Sequence, residues 1–176
     1  CRGLPAGLLG YLGATPQRGT GPDTGGIMET NDTAAVLEDL IETLEDGRKG
    51  FEQAADRIAD SDDPAVAVDL RRFAQQRAEF SVELRDVAGR HGVEIDEEGS
   101  VAGALHRGWL NLKDAVSGDD PKAVLSAAEE GEDHAVSEFE DALEKELPAD
   151  VRSVVERQAQ AVRAAHDRVK VLRDSH

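Results

Sequence analysis

The sequence contains few of the residues on which several common protein classes depend. It has one cysteine, Cys1, and only 3% aromatic residues in 176 positions. A single cysteine excludes an intrachain disulfide and a thiolate metal cluster, and its place at the first position disfavours cysteine catalysis. Because aromatic residues are scarce, the core must be built from Leu, Val and Ala, which suits packed helices better than a β-sandwich.

Long apolar runs and positive charge are also scarce. No run of 18 apolar residues occurs, although a membrane-spanning helix needs about that length. The chain carries 37 acidic and 20 basic residues, a net charge of −17. This balance disfavours nucleic acid and anionic membranes as partners, because both bind basic surfaces. The acidity fits a saline cytoplasm or a solvated helical surface; we favour the second and expect a cytoplasmic protein.

Residues 1–27 differ in composition from the rest of the chain. They are rich in Gly, Pro and Thr, show no periodicity, and end just before Met28, the only methionine. Our preferred interpretation is that Met28 is the natural start and that 1–27 is upstream or non-native sequence. A cleaved signal peptide, with residues 3–14 as its apolar part, and a natural flexible tail are the alternatives. We therefore predict a disordered tail at 1–27 and one domain over 28–176.

The pattern beyond Met28 is helical throughout and predicts four long helices. Helix A should run from about Asp32 to Ala59, capped by Asn31 or Asp32. Helices B and C should begin at Asp63-Pro64 and Asp120-Pro121, where an N-cap residue precedes a proline. Helix B should stop at His91-Gly92, and Pro148 should separate helix C from helix D.

One side of each helix should be buried, because apolar residues recur there at intervals of three or four. These stripes are Leu37, Leu40, Leu44, Gly47, Phe51, Ala54 and Ile58 in helix A; Val66, Leu70, Phe73, Arg77, Phe80, Leu84 and Val87 in helix B; Val124, Ala128, Gly131, Ala135, Phe139, Ala142 and Glu146 in helix C; and Val151, Val155, Gln158, Val162, Ala165, Val169 and Leu172 in helix D.

The lengths of the connections predict how the helices are arranged. Helices A and B, and helices C and D, are joined by few residues, so each pair should form an antiparallel hairpin. The B–C connection, about residues 92–120, is long enough to run back along the bundle. It has a short amphipathic segment capped by Ser100, with His106 and Trp109 expected to dock it. Two hairpins joined by one long crossover form the ferritin-like four-helix bundle, an all-α fold.

Several segments resemble a known family, and they follow its order over residues 30–174. The most specific is GSVAGALHRGWLNLKDAVSG at 99–118. The others are LEDLIETLEDGRKGFEQAA at 37–55, FAQQRAEFSVEL at 73–84, EEGEDHAV at 129–136, and ERQAQAVRAAHDRVKVLRD at 156–174. The family is a bacterial one catalogued as a domain of unknown function, with a ferritin-like four-helix bundle. The resemblance implies this fold and a bacterial origin, but no activity.

A ferritin-like bundle raises the question of a di-iron centre. Such centres take a Glu from each of two helices and a Glu-x-x-His from each of the other two. Here the comparable positions are Gln76-x-x-Glu79 in helix B and Arg163-x-x-His166 in helix D, so neither motif is intact. We expect no cofactor. A less usual site for iron or another divalent metal remains an alternative, with ligands drawn from Glu45, Asp46, Glu79, Glu132 and His166.

The same carboxylates have a structural interpretation. Arg77 falls on the buried stripe of helix B, and a buried guanidinium needs a partner. If helices A and B pair closely, Gly47 should be level with Arg77, and Glu45 or Asp46 should be near it. We therefore expect carboxylates that hold metals in other ferritin-like bundles to hold Arg77 here and to fix the helix register.

Two classes of function follow from these observations. The first is a non-enzymatic structural, stress-associated or interaction protein, because no catalytic constellation is complete. Such a protein could form a homo-oligomer. The alternative is a metal-binding, iron-handling protein or oxidoreductase with a degenerate carboxylate site, which rests on the fold alone. We favour the first and expect no enzyme.

Overall fold

A computed structural model of the chain describes residues 25–59, 64–95 and 120–176, with side chains from residue 32 onward. Within these residues the protein is all-helical and has no strand. The four helices are α1 (Gly25–Arg57), α2 (Pro64–Arg90), α3 (Pro121–Leu143) and α4 (Ala149–Asp174). They correspond to the predicted helices A to D, so the four-helix prediction is confirmed. None of them is long and apolar enough to cross a membrane.

The helix ends follow the predicted signals with one main exception. The Asp120 side chain accepts a hydrogen bond from the Lys122 N–H at 3.2 Å and thereby caps α3. After α2, Gly92 has a φ of 70°, the left-handed conformation that glycine adopts without strain. The exception is α1, which begins at Gly25 rather than at Asp32. No proline lies between Pro22 and Pro64, so nothing in the backbone chemistry stops the helix from extending past its possible caps.

The predicted stripes are the buried sides of the helices. Every stripe residue is buried except Phe80, which is half-buried, and Glu146, which is exposed. Glu146 was wrongly placed, because α3 ends at Leu143 and Glu146 lies in the connection before Pro148. Arg152, in the first turn of α4, donates hydrogen bonds to the carbonyls of Leu143 at 3.1 Å and of Lys145 at 2.7 Å. These bonds use acceptors that the end of α3 leaves without helical partners.

Two apolar clusters fill the core, and their composition defines the directions of the helices. The first cluster joins the end of α1, the starts of α2 and α3, and the end of α4. The second joins the start of α1, the ends of α2 and α3, and the start of α4. The α1–α2 and α3–α4 pairs are therefore antiparallel hairpins, whereas α2 and α3 run parallel.

Each helix has two neighbours in the bundle. Helix α1 contacts α2 and α3, and α4 contacts α3 and α2, so α2 and α3 lie diagonally opposite within the described residues. The end of α2 and the start of α3 therefore lie at opposite ends of the bundle, about 40 Å apart for a helix of 27 residues. Most of the connection between them, including the predicted segment with Ser100, His106 and Trp109, lies outside the described residues. Of the tail predicted at 1–27, residues 1–24 also lie outside them, whereas 25–27 form the start of α1.

Candidate functional site

A polar layer separates the two apolar clusters at the middle of the bundle. In α2, Arg77 lies between Ala74 of the first cluster and Leu84 of the second. In α3, Glu132 lies between Ala128 and Ala135 in the same way. We refer to Arg77, Glu132 and the neighbouring Gly47 of α1 as the central polar layer.

Arg77 and Glu132 form a fully buried ion pair across the diagonal of the bundle. Arg77 Nη2 donates to Glu132 Oε2 at 2.6 Å, and both side chains are 0% exposed. Charge-assisted hydrogen bonds of this kind are short and about twice as strong as neutral ones. Because the two residues belong to different hairpins, the pair ties α1–α2 to α3–α4.

Two of the three guanidinium nitrogens of Arg77 donate hydrogen bonds, and the third does not. Nη1 donates to Gln76 Oε1 at 2.7 Å, and the guanidinium carbon lies 5.7 Å from the centre of the Phe51 ring. That distance is within the range of a cation–π interaction. Arg77 Nε and Glu132 Oε1 are buried and have no hydrogen-bond partner among the described residues.

Gly47 lies beside Arg77, as the sequence predicts for closely paired helices A and B. A Cβ atom at Gly47 would be 3.7 Å from Arg77 Cγ, Cδ and Nε, an ordinary van der Waals distance. The absence of a side chain at position 47 is therefore not required to make room for Arg77.

Burial dominates the ionisation of Glu132. Complete removal from water raises the pKa of this carboxyl group, because the charged form loses its hydration. The guanidinium of Arg77 opposes this shift by charge and by hydrogen bonding, and the nearby His166 opposes it more weakly, whereas Asp133 adds to it. The net result is a raised pKa.

Glu45 does not contact Arg77, contrary to expectation; it lies on the outer part of the α1–α2 interface. Ser81 Oγ donates to Glu45 Oε1 at 2.7 Å, Arg48 Nε donates to Oε2 at 3.1 Å, and Arg85 Nη1 donates to Oε1 at 3.3 Å. Partial burial raises the pKa of Glu45, but the three donors together outweigh it, so the pKa is lowered overall.

Asp46 and Glu79 also lie away from the central polar layer. Asp46 forms an ion pair with Lys49 on α1 at 3.8 Å, one turn along the same helix. Glu79 is exposed on α2 and accepts a hydrogen bond from Gln75 at 3.0 Å. Neither residue contacts Arg77, so of the carboxylates expected there only Glu132 holds it.

His166 of α4 lies near Glu132 but is bonded to other carboxylates. Its Nε2 is 2.9 Å from Asp133 Oδ1 on α3, and its Nδ1 is 3.1 Å from Asp167 Oδ1. The side chain is 17% exposed, whereas both aspartates are largely exposed. His166 therefore joins α3 to α4 at the rim of the bundle.

Gln158 is a second buried polar group on a predicted stripe. Its Nε2 donates to Glu83 Oε2 at 2.9 Å and to the Phe80 carbonyl at 3.3 Å, both on α2. Glu83 also pairs with Arg157, and the hydrogen bond from Arg157 is the main cause of the lowered pKa of Glu83. This cluster joins α4 to α2.

The residues proposed as metal ligands thus lie in separate places. Within 32–59, 64–95 and 120–176, no three His, Cys, Asp or Glu side chains are grouped so that they could hold a metal ion. A di-iron pair needs carboxylates from several helices around one point, and at the centre of this bundle α1 offers Gly47 and α2 offers Arg77. The donor set present at the centre does not fit such a pair.

Sequence reasoning missed several residues of these networks. Ser81 and Arg85, which hold Glu45, follow Arg77 at successive intervals of four, a spacing that indicates a common helix side. Gln76 accepts a hydrogen bond from Arg77. No spacing in the sequence indicates this contact, because adjacent residues on a helix point about 100° apart.

Comparison with known proteins gives a family but no activity. A family model described as "Domain of unknown function (DUF2383)" matches residues 32–145. The match covers more than half of the 176 residues, and the chain belongs to this family. The predicted resemblance to a domain of unknown function is confirmed. No curated protein matches the chain.

Proposed function

We propose that the protein is a ferritin-like four-helix bundle whose centre is structural rather than catalytic. It would act in the bacterial cytoplasm through interactions, as a structural or stress-associated protein. The observation that carries the proposal is the Arg77–Glu132 pair, because a guanidinium stands where a metal of a ferritin-like centre would need carboxylates.

The electrostatics of the centre support this proposal. A cation bound to Glu132 would stand close to the buried guanidinium of Arg77. Two unit charges of the same sign repel by about 4 kcal/mol at about 4 Å and an effective dielectric constant of about 20, and a divalent ion doubles this. With Arg77 in place, Glu132 is therefore a poor ligand.

The topology supports the ferritin-like assignment. Two antiparallel hairpins whose inner helices, α2 and α3, run parallel need one long crossover, and this is the connectivity of ferritin-like bundles. The bacterial origin and the cytoplasmic location rest on the sequence resemblance and on the acidic composition.

Iron retention by the full chain tests the proposal. The protein would be incubated with excess Fe²⁺, desalted and assayed for iron by elemental analysis. The comparison would include Glu132→Ala and, as a matched control, Glu79→Ala, which removes an exposed carboxylate of the predicted set. We expect all three proteins to retain well below one iron per chain. One or two irons in the wild type and in Glu79→Ala, absent from Glu132→Ala, would contradict a structural centre.

A second candidate function is a metal-binding protein or oxidoreductase that uses a residual carboxylate site. It is favoured by one observation, the buried Glu132 Oε1 that has no hydrogen-bond partner among the described residues. For this function, Arg77→Leu should increase iron retention, since it removes the competing positive charge. An Arg77→Leu protein that stays folded and still retains no iron would count against it.

A further inference from the structure

The charged residues of the four helices are divided unequally between two pairs of adjacent helices. The adjacent helices α1 and α3 contain sixteen acidic and four basic residues, whereas the adjacent helices α2 and α4 contain eight acidic and eleven basic residues. The residues of α1 and α3 thus sum to a net charge of −12 and those of α2 and α4 to one of +3, with buried and ion-paired residues included. Two copies of this chain would repel each other least when their α2/α4 sides meet.

Helices α2 and α4 also carry the exposed large apolar side chains of the described residues. Val68 and Val82 of α2 and Val171 of α4 are each more than half exposed. Val68 and Val82 are 14 residues apart, close to four full turns, so they lie on one side of α2 about 21 Å apart. Val171 follows Arg168 by three residues, and Arg168 pairs at 2.8 Å with Asp69, the neighbour of Val68.

Five exposed residues of α2 form a row in which apolar and charged side chains would meet suitable partners on a second, antiparallel copy of the helix. Val68, Arg72, Gln75, Glu79 and Val82 follow one another at intervals of four, three, four and three. If two copies of α2 run antiparallel about a two-fold axis at Gln75, Val68 of each copy lies opposite Val82 of the other. Arg72 of each copy then lies within one residue of the position opposite Glu79.

Arg72 is available for such a contact. It is exposed, and the described part of the chain supplies it with no hydrogen bond or ion pair. Glu79 is exposed too, and it accepts a hydrogen bond from Gln75, another residue of this row. A two-fold interface uses the same patch twice, so each Arg72–Glu79 pairing would be formed two times.

We propose that the α2/α4 side is the interface of a homodimer, in which α2 packs antiparallel on α2 of a second copy. A patch two helices wide and about 40 Å long covers on the order of 800 Å² per partner, the size of a standard stable interface. The strongly acidic α1/α3 sides then face away from each other.

The oligomeric state of the full chain tests this interface. We expect light scattering after size exclusion, at about 10 to 100 μM, to give twice the chain mass of 18.8 kDa. Val68→Glu combined with Val82→Glu places four carboxylates in the contact, and we expect the dimer dissociation constant to rise on the order of 100-fold or more. The matched control is Gln53→Glu with Ser137→Glu, which adds the same charge to exposed positions of α1 and α3; it should leave the dimer intact.

A charge exchange tests the antiparallel arrangement separately. Arg72→Glu should weaken the dimer, and Arg72→Glu combined with Glu79→Arg should restore it. Failure of the exchange to restore the dimer would overturn the antiparallel arrangement. Circular dichroism would establish that each variant is folded.

Three other results would overturn the proposed interface. The first is a wild-type chain that stays monomeric at about 100 μM. The second is a dimer lost in the α1/α3 control but kept in the valine variant. The third is a monomer whose thermal stability falls only in the valine variant, which would mean that another part of the chain covers this side.

Discussion

Removing one member of the Arg77–Glu132 pair should cost far more stability than removing both. The pair is 0% exposed, and a guanidinium group keeps its charge in proteins. In Glu132→Leu the guanidinium stays buried without its carboxylate, for which the expected cost is about 3–5 kcal/mol. In the double variant Arg77→Met/Glu132→Leu no buried charge is left, so the expected change ranges from about zero to a gain of about 1–4 kcal/mol.

The Arg77→Met variant should behave differently, because its remaining partner can be neutralised. Burial already raises the pKa of Glu132 against the effect of Arg77, and without Arg77 the pKa should rise further. A carboxyl group with a higher pKa in the folded state contributes stability that is complete below its unfolded pKa, near 4.5, and is lost as the pH rises through the folded pKa. The cost of Arg77→Met should therefore be smaller at pH 4.5 than at pH 7, whereas that of Glu132→Leu, which removes the titrating group, should not become smaller.

Urea denaturation followed by circular dichroism at both pH values measures these costs. The wild type, the two single variants and the double variant form a thermodynamic cycle, which isolates the coupling between residues 77 and 132. The reasoning would be refuted if the double variant lost as much stability as the sum of the two single variants. It would also be refuted if Arg77→Met cost more at pH 4.5 than at pH 7.

Three further predictions concern the surroundings of the pair and the helix ends. Gly47→Ala should stabilise the protein by about 0.5–1 kcal/mol, because alanine favours a helix and its Cβ fits at 3.7 Å from Arg77; a lower melting temperature would contradict this. Arg152→Ala should cost about 1–2 kcal/mol in urea denaturation, since two carbonyls lose a charged donor, and an unchanged midpoint would contradict it. Glu45→Gln should cost up to about 1 kcal/mol at pH 7. Because the pKa of Glu45 is lowered by folding, its stabilisation is present above an unfolded pKa near 4.5 and is lost as the pH falls through the folded pKa. Wild type and variant should therefore converge as the pH falls well below 4.5; a constant difference would contradict this.

The helices and their buried sides were predictable because they depend on local chemistry and on spacing. Pro64, Pro121 and Pro148 mark helix starts, and the three-and-four spacing marks the buried sides regardless of which helix lies opposite. The start of α1 was not predictable from a possible cap, since Asn31 and Asp32 can also lie within a helix. Local capping preferences amount to about 1 kcal/mol and do not by themselves end a helix.

The partner of Arg77 was harder to predict, because it depends on which helix lies opposite. Sequence proximity to Gly47 favoured Glu45 and Asp46, but these residues point about 200° and 100° away from Gly47 around α1. Glu132, in contrast, lies four residues after Ala128 and three before Ala135, so it is itself on the buried stripe of α3. That spacing was a usable signal, and a charged residue found on such a stripe is the first candidate to pair with another.

The position of the pair explains how it can specify the register of the bundle. Most of the core consists of Leu, Val and Ala side chains, and such stripes still meet apolar partners if one helix slides by a turn of about 5.4 Å. A slide of α3 along α2 would separate Arg77 from Glu132 and leave both charges buried without partners. Each unpaired charge costs several kcal/mol. The pair therefore raises the free energy of the shifted arrangements by more than it lowers the free energy of the native one. A single polar layer between two apolar clusters therefore contributes mainly to the uniqueness of the fold, much as one buried polar residue fixes the register of a coiled coil.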